Sequence, residues 1–119
     1  MPTPPEKAVI LIADDRASSR ELLRTVLQRA GYEVLEAEDG EQAVAQARSG
    51  HPDLILLDLQ MPGLDGFGVL AELRGDPQFR DLPVLALTAS AMRGDRETIL
   101  AAGFTDYLAK PAGPEVLRE

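Results

Sequence analysis

Five short runs of apolar, β-favouring residues alternate along this chain with stretches whose apolar residues recur at helical spacing. Such alternation predicts βα units, in which parallel strands form one sheet and helices cover both of its faces. We predict strands at 8–13, 32–37, 53–57, 83–87 and 105–109. Helices are predicted through 22–30 and at about 41–49, 67–74 and 91–102, the first three ended by Gly31, Gly50 and Gly75. The predicted fold class is α/β, a doubly wound five-stranded parallel sheet.

The length of the chain, 119 residues, suits a single domain with one core. We expect residues 1–7 to be a disordered N-terminal tail and residues 8–119 to form the domain. The fourth helix has a thin apolar stripe, so it should pack lightly. After Pro111 there are residues enough for only the first turns of a fifth helix, which we interpret as truncated.

Composition excludes several classes of function. The formal net charge of -8 offers no basic patch for direct nucleic-acid binding. The absence of cysteine excludes disulfides, thiolate metal sites and thiol catalysis. The first residues do not resemble a signal peptide, and the apolar run at 8–13 is too short to span a bilayer. We therefore expect a soluble cytoplasmic protein without a membrane association.

Polar residues follow the predicted strands at their carboxyl ends. Asp14 and Asp15 follow the first strand, Asp58 the third, Thr88 the fourth and Lys110 the fifth. Ligands of open parallel sheets bind beyond these ends, so three carboxylates, a hydroxyl and an ammonium group should converge there. Crowded carboxylates repel one another unless a cation lies among them, and Mg²⁺ prefers such oxygen ligands. The sequence therefore predicts a magnesium site.

Motifs at these positions resemble the receiver domains of bacterial two-component response regulators, and the resemblance covers nearly all of the chain. The motifs are Ile12-Ala13-Asp14-Asp15, the Leu-Leu-Asp-x-x-Met-Pro-x-x-Asp-Gly pattern at 56–66, Leu87-Thr88-Ala89, and Tyr107-Leu108-Ala109-Lys110-Pro111. A flavodoxin-like strand order, 2-1-3-4-5, is implied by this resemblance.

The resemblance also implies a role for each site residue. Asp58 is the phosphoacceptor. Asp14, Asp15, Asp58 and the backbone carbonyl of Gln60 hold Mg²⁺, with Asp14 often acting through water. Lys110 contacts the phosphoryl group, Thr88 moves to bond it, and Tyr107 turns inward with Thr88. Asp65 and Gly66 are expected to serve the turn and the start of the third helix.

The expected function is that of a signalling switch, in which a histidine kinase or histidine phosphotransfer protein donates a phosphoryl group to Asp58. The domain would catalyse its own phosphorylation and dephosphorylation, as a regulator rather than a classical enzyme. We expect the donor to dock near the first helix, at Ala17, Ser18, Leu22 and Leu23. The surface around the fourth helix and fifth strand would change, and it would face an output protein or domain, or a phosphorylation-dependent homodimer partner.

Simpler interpretations exist for single residues. Asp14 or Asp15 could cap the first helix, and Thr88 could be a turn or cap residue. Lys110 could be a solvated loop lysine, and Tyr107 could be ordinary half-buried packing. We assign no role to the basic residues on the helices, because most of them should lie on solvated faces. A phosphatase of the haloacid dehalogenase type needs a general acid where this chain has Gln60, so that class fits poorly. The alternative that stays open is a pseudo-receiver, a protein-interaction module that is not phosphorylated.

Overall fold

The computed structural model describes residues 8–59, 61, 63–88 and 93–109, which form a parallel sheet flanked by helices. In chain order the elements are β1 (Val9–Ala13), α1 (Ala17–Arg29), β2 (Glu33–Ala37), α2 (Gly40–Gly50), β3 (Leu54–Asp58), α3 (Gly66–Arg74), a one-turn 3₁₀ helix (Pro77–Phe79), β4 (Val84–Thr88), α4 (Arg93–Ala102) and β5 (Asp106–Ala109). The strand order is β2-β1-β3-β4-β5, and every neighbouring pair is parallel. The predicted fold class and strand order are therefore confirmed.

Alternate residues of the strands enter two separate cores, so the expectation of one core was wrong. In β1, Leu11 and Ala13 belong to the larger core, which also contains side chains of α2, α3 and α4. Ile10 and Ile12 belong to the smaller core, together with Leu23 and Leu27 of α1. Because both faces of the sheet are covered, the strands are apolar on both sides, which is why they form near-continuous hydrophobic runs.

The first two helices end in different ways, because the residue with a positive φ is a glycine after α1 and a histidine after α2. Gly31, two residues after α1, has a φ of 98°, as its predicted role as a stop requires. In contrast, Gly50 is the last residue of α2, and His51 takes the left-handed position with a φ of 47°. A Cβ on Gly50 would collide with the side chain of Leu35. Gly50 therefore serves close packing of helix against strand, and its predicted role as the stop was wrong.

One residue of the predicted docking surface on α1 is misplaced. Ala17 and Ser18 are exposed, and Leu22 is 41% exposed. Leu23, however, is only 2% exposed and packs in the smaller core. A 3.6-residue period turns consecutive helical positions by about 100°, so Leu22 and Leu23 cannot both face solvent. Including Leu23 in the docking surface was therefore wrong.

The fourth helix packs through few side chains, as its sequence predicts. Among its described side chains, those of 97–102, Ile99 is the buried one, and Leu100 is 38% exposed. Phe104, which follows α4, packs edge-on against Phe67 with ring centroids 5.7 Å apart. The predicted tail at 1–7 and the predicted start of a fifth helix lie outside the described residues. Within the described part of the chain, no helix has both the length and the apolar character needed to cross a membrane.

Candidate functional site

Three carboxylates meet at the carboxyl edge of the sheet. One oxygen from each of Asp14, Asp15 and Asp58 lies within 4.8 Å of the other two. Asp14 and Asp15 directly follow β1, and Asp58 is the last residue of β3, the neighbouring strand. The structure thus brings together the acidic residues that the strand ends predicted to converge.

Asp14 is held by the backbone on both sides. It is fully buried, and its N–H donates to the carbonyl oxygen of Ala37 at 3.1 Å. Its Oδ1 accepts a hydrogen bond from the N–H of Arg16, the N-cap residue of α1, at 2.9 Å. The N-cap position of α1 belongs to Arg16, without a side-chain capping bond, so the interpretation of Asp14 or Asp15 as the cap was wrong. The Asp14 carboxylate instead orders the turn before the helix and belongs to the acidic cluster. Asp15, in contrast, is exposed.

Asp58 lies where the loop after β3 passes very close to the start of α3. Asp58 is 5% exposed. A Cβ on Gly66 would lie 2.5 Å from the carbonyl oxygen of Asp58, so only glycine allows this approach. Asp65 caps α3, because its Oδ1 accepts a hydrogen bond from the N–H of Gly68 at 2.9 Å. The expected roles of Asp65 and Gly66 in the turn are confirmed, and the contact of Gly66 with the backbone of Asp58 is an additional finding.

The remaining predicted site residues are described only in part. Thr88 ends β4, the strand next to β3, and is 8% exposed. Tyr107 lies on β5, is half-buried, and pairs in register with Ala86 rather than with Thr88. Lys110 and Gln60 lie outside the described residues, so their placement stays a prediction.

An ion-pair network beside the acidic cluster was missed by sequence analysis. Arg20 on α1 lies 3.4 Å from Glu36 and 3.6 Å from Glu38, and Arg24 donates to Glu36 at 2.8 Å. The hydrogen bond and charge of Glu36 raise the pKa of Arg24. Arg20 also donates a hydrogen bond from Nη1 to the carbonyl oxygen of Asp14 at 2.7 Å. The solvated face expected for most helical basic residues describes Arg24, whose side chain is 37% exposed, but not Arg20, whose side chain is 12% exposed and contacts the acidic site.

Comparison with known proteins identifies the fold. Residues 10–119 match the family described as the response regulator receiver domain. This chain is a member of that family. Receiver domains are the regulated modules of two-component signalling, so the domain is one of these modules.

Relatives of this receiver domain include proteins of similar length and proteins that are much longer. It is 46% identical to a probable transcriptional regulator, ycf27, of Porphyridium aerugineum over 94% of this chain and 45% of that protein. It is 39% identical to the polar-differentiation response regulator DivK of Brucella ovis over 86% of this chain and 83% of that protein. The chain thus spans less than half the length of the first of these relatives.

Solved structures of receiver domains have the same fold. The chemotaxis response regulator CheY4 of Vibrio cholerae superposes with a TM-score of 0.90 at 36% identity, covering 95% of this chain and 94% of that one. The receiver domain of a Pseudomonas aeruginosa sensor histidine kinase has a TM-score of 0.86 at 39% identity, covering 95% and 93% of the two chains. The latter structure has a magnesium ion coordinated in its active-site cleft.

The acidic cluster of this receiver domain suits the same metal ion. Mg²⁺ binds oxygen ligands octahedrally, so the ligand atoms around one ion lie about 3–4.2 Å from one another. One oxygen from each of Asp14, Asp15 and Asp58 lies within 4.8 Å of the other two, a spacing close to this range. Their chemistry and spacing are therefore consistent with Mg²⁺ binding.

Proposed function

We propose that this receiver domain is a phosphoacceptor switch, in which Asp58 receives a phosphoryl group from a histidine kinase or a histidine phosphotransfer protein. The observation that carries the proposal is the cluster of Asp14, Asp15 and Asp58. A nucleophilic carboxylate beside two metal-binding carboxylates is the arrangement that Mg²⁺-dependent phosphoryl transfer requires.

The reaction needs little of the protein beyond positioning and charge stabilisation. A carboxylate oxygen of Asp58 attacks phosphorus, and a P–O bond forms as the P–N bond of the donor's phosphohistidine breaks. The donor imidazole leaves with the electron pair and takes up a proton. When bound to Asp14, Asp15, Asp58 and the carbonyl oxygen of Gln60, Mg²⁺ supplies positive charge to the phosphoryl oxygens. Lys110 contacts the same oxygens as a point donor.

Phosphorylation changes the charge next to the end of β4. The acyl phosphate adds negative charge and acceptor oxygens, to which the Thr88 hydroxyl donates a hydrogen bond. Tyr107 moves inward as Thr88 moves, and α4 is the element that responds. The small buried contribution of the described part of α4, which consists of Ile99, supports this assignment. Hydrolysis of the acyl phosphate returns the domain to its first state.

The partners follow from this chemistry. The phosphodonor docks at the exposed positions Ala17, Ser18 and Leu22 of α1, in the cytoplasm. The surface of α4 and β5 faces an output protein or domain, or a second copy in a phosphorylation-dependent homodimer. A probable transcriptional regulator is among the relatives, and this chain covers 45% of it, which supports an output domain as a partner of this kind.

Intact-mass measurement after incubation with acetyl phosphate, and separately with a phosphorylated histidine kinase, tests the proposal. The wild type should gain one phosphoryl group with Mg²⁺ and none with a metal chelator. Asp58→Asn should gain none. Asp65→Asn is the matched control, since asparagine caps a helix as well as aspartate does, and it should be phosphorylated normally.

Two results would overturn the proposal. A stable phosphoryl group on Asp58→Asn would place the acceptor elsewhere. A wild-type protein that accepts no phosphoryl group from either donor would favour the pseudo-receiver, a protein-interaction module that is not phosphorylated.

A further inference from the structure

The guanidinium group of Arg20 contacts two different parts of the molecule. Its side chain is 12% exposed, although arginine is usually found on protein surfaces. One side of the planar group lies against Glu36 and Glu38, at the end of β2 and just beyond it. Nη1 donates to the carbonyl oxygen of Asp14 at 2.7 Å, a short hydrogen bond assisted by the positive charge.

The orientation of Arg20 is itself fixed by its neighbours. Glu36 accepts a hydrogen bond from Arg24, one helical turn further along α1, at 2.8 Å with its second oxygen. This bond holds the Glu36 carboxylate in place, and Glu36 in turn lies 3.4 Å from Nε of Arg20, an ion-pair contact rather than a hydrogen bond. Ion-pair contacts on one edge and the hydrogen bond of Nη1 on another limit the rotation of the planar guanidinium. Arg20 therefore presents Nη1 to Asp14 from a fixed direction.

The carbonyl group that Arg20 contacts belongs to the peptide bond between Asp14 and Asp15. A peptide unit is planar, so fixing its carbonyl oxygen also fixes the direction of the following N–H. The N–H and Oδ1 of Asp14 are held by Ala37 and Arg16. With Arg20 on the carbonyl oxygen, the backbone that leads into the exposed Asp15 is held as well.

We propose that Arg20 is a positioning residue for the magnesium site, which orients the Asp14–Asp15 peptide so that both carboxylates face Asp58. This inference rests on the proposed function and deepens it. Groups that orient metal ligands from outside the coordination shell typically change metal affinity by about ten- to a hundredfold when they are removed. In this role Arg20 acts through the Asp14–Asp15 peptide and is not itself a metal ligand.

A purely electrostatic role for Arg20 predicts a change in Mg²⁺ affinity in the opposite direction. A guanidinium near the cluster repels Mg²⁺, so loss of its charge alone would tighten Mg²⁺ binding. A positioning role predicts weaker binding, because the carboxylates lose their arrangement. The direction of the change in affinity therefore separates the two roles.

Isothermal titration of each protein with Mg²⁺ alone, together with amide NMR spectra of the metal-free proteins, tests the proposal. Arg20→Met should raise the Kd for Mg²⁺ about tenfold. Arg20→Lys keeps the charge but lacks the planar guanidinium group, so it should lose most of the same Mg²⁺ affinity. The amide resonances of Asp15 and Arg16 should shift in both variants before any metal is added.

Control variants keep the result interpretable. Arg16→Met removes a nearby exposed charge without removing the bond to the Asp14 carbonyl oxygen, and it should bind Mg²⁺ no more weakly than the wild type. Glu36→Gln keeps Arg20 but removes the charge that orients its guanidinium group, so it should weaken Mg²⁺ binding less than Arg20→Met does. In the variant that carries both substitutions, the loss of Mg²⁺ affinity should be smaller than the sum of the two single losses. Glu36→Gln also replaces Arg20→Met if the latter fails to fold.

Unchanged or tighter Mg²⁺ binding by both Arg20→Lys and Glu36→Gln would overturn the positioning role while leaving the proposed function standing. A wild-type protein that does not bind Mg²⁺ would instead overturn the proposed function, and the inference with it.

Discussion

At the scale of single residues, the position of Asp58 depends on residue 66 being glycine, which has no side chain. The backbone of α3 begins so close to the end of β3 that a Cβ at residue 66 would lie 2.8 Å from Cα of Leu59. The N–H of Gly66 donates to the carbonyl oxygen of Leu59 at 3.2 Å across this contact. The glycine thus fixes the loop that follows Asp58, the proposed phosphoacceptor.

Gly66→Ala should destabilise the domain and slow its phosphorylation. The added methyl group must displace the backbone around Asp58, and overpacking of this kind costs about 1–3 kcal/mol. Urea unfolding and the rate of phosphoryl gain from acetyl phosphate measure the two effects.

The matched control for this substitution is Gly75→Ala at the other end of α3. Gly75 has a φ of -74°, and a Cβ there would meet its nearest neighbour, the carbonyl oxygen of Ala71, at 3.4 Å. Alanine at such a position stabilises by about 0.4–1 kcal/mol through the unfolded state. Equal stability changes in the two variants would contradict the role given to Gly66.

Residues differ in how well sequence alone predicts their place in the site. Asp14, Asp15 and Asp58 could be predicted to converge, because strand ends in a parallel sheet share one edge. Arg20 could not, because its contacts with Glu36 and Glu38 link residues that are distant in sequence and follow no local spacing rule. Gly66 was predicted to serve the turn, but its close approach to Asp58 depends on tertiary packing.

At the scale of elements, a single arginine ties the end of α3 to two loops. Nη1 of Arg74 lies 2.9 Å, 3.2 Å and 2.7 Å from the carbonyl oxygens of Phe79, Arg80 and Leu82, between α3 and β4. Its Nη2 donates at 3.1 Å to the carbonyl oxygen of Gly103, just after α4. Arg74 therefore fixes the C-terminal end of α4 against α3.

Arg74→Met should destabilise the domain by about 1.5–3 kcal/mol, the usual range for hydrogen bonds to a charged group. Amide hydrogen exchange should increase most in α4 and in the 3₁₀ helix. Arg48→Met is the control, since Arg48 occupies the last turn of α2 and is exposed. A stability loss as large in Arg48→Met would show that the effect comes from helix-end charge and not from the contacts of Arg74.

The sequence predicts some elements better than others. Every strand end is predicted to within one residue, because runs such as Leu54–Leu57 are apolar throughout and are bounded by turn residues. The 3₁₀ helix was not predicted, since its three residues carry no periodicity. Its Phe79 is nevertheless 3% exposed and contributes to the larger core.

At the scale of the whole molecule, repulsion within the acidic cluster lowers the stability of the domain. The chain has a net charge of -8, and three of its carboxylates are held close together at the edge of the sheet. The repulsion between two carboxylates at this separation is about 1 kcal/mol even at the dielectric constant of bulk water. The strand order that creates this edge came from the family resemblance, since periodicity alone does not order strands.

Asp15→Asn should therefore stabilise the metal-free domain by about 1 kcal/mol. Saturating Mg²⁺ should stabilise the wild type through binding to the folded state and stabilise the variant much less. Thermal unfolding with and without Mg²⁺ measures both effects. Asp81→Asn removes an exposed carboxylate outside the cluster and should leave the Mg²⁺ dependence unchanged. A wild type and an Asp15→Asn variant equally stabilised by Mg²⁺ would place the metal elsewhere.

Asp58 is the proposed carrier of the phosphoryl group, and locating the modified residue tests this role. Borohydride reduces an aspartyl phosphate to homoserine, so peptide mass spectrometry of the reduced, phosphorylated protein identifies the acceptor. We expect homoserine at position 58 alone, and only when Mg²⁺ was present during phosphorylation. Homoserine at position 14 or 15, or phosphorylation that leaves position 58 as unmodified aspartate, would contradict the account.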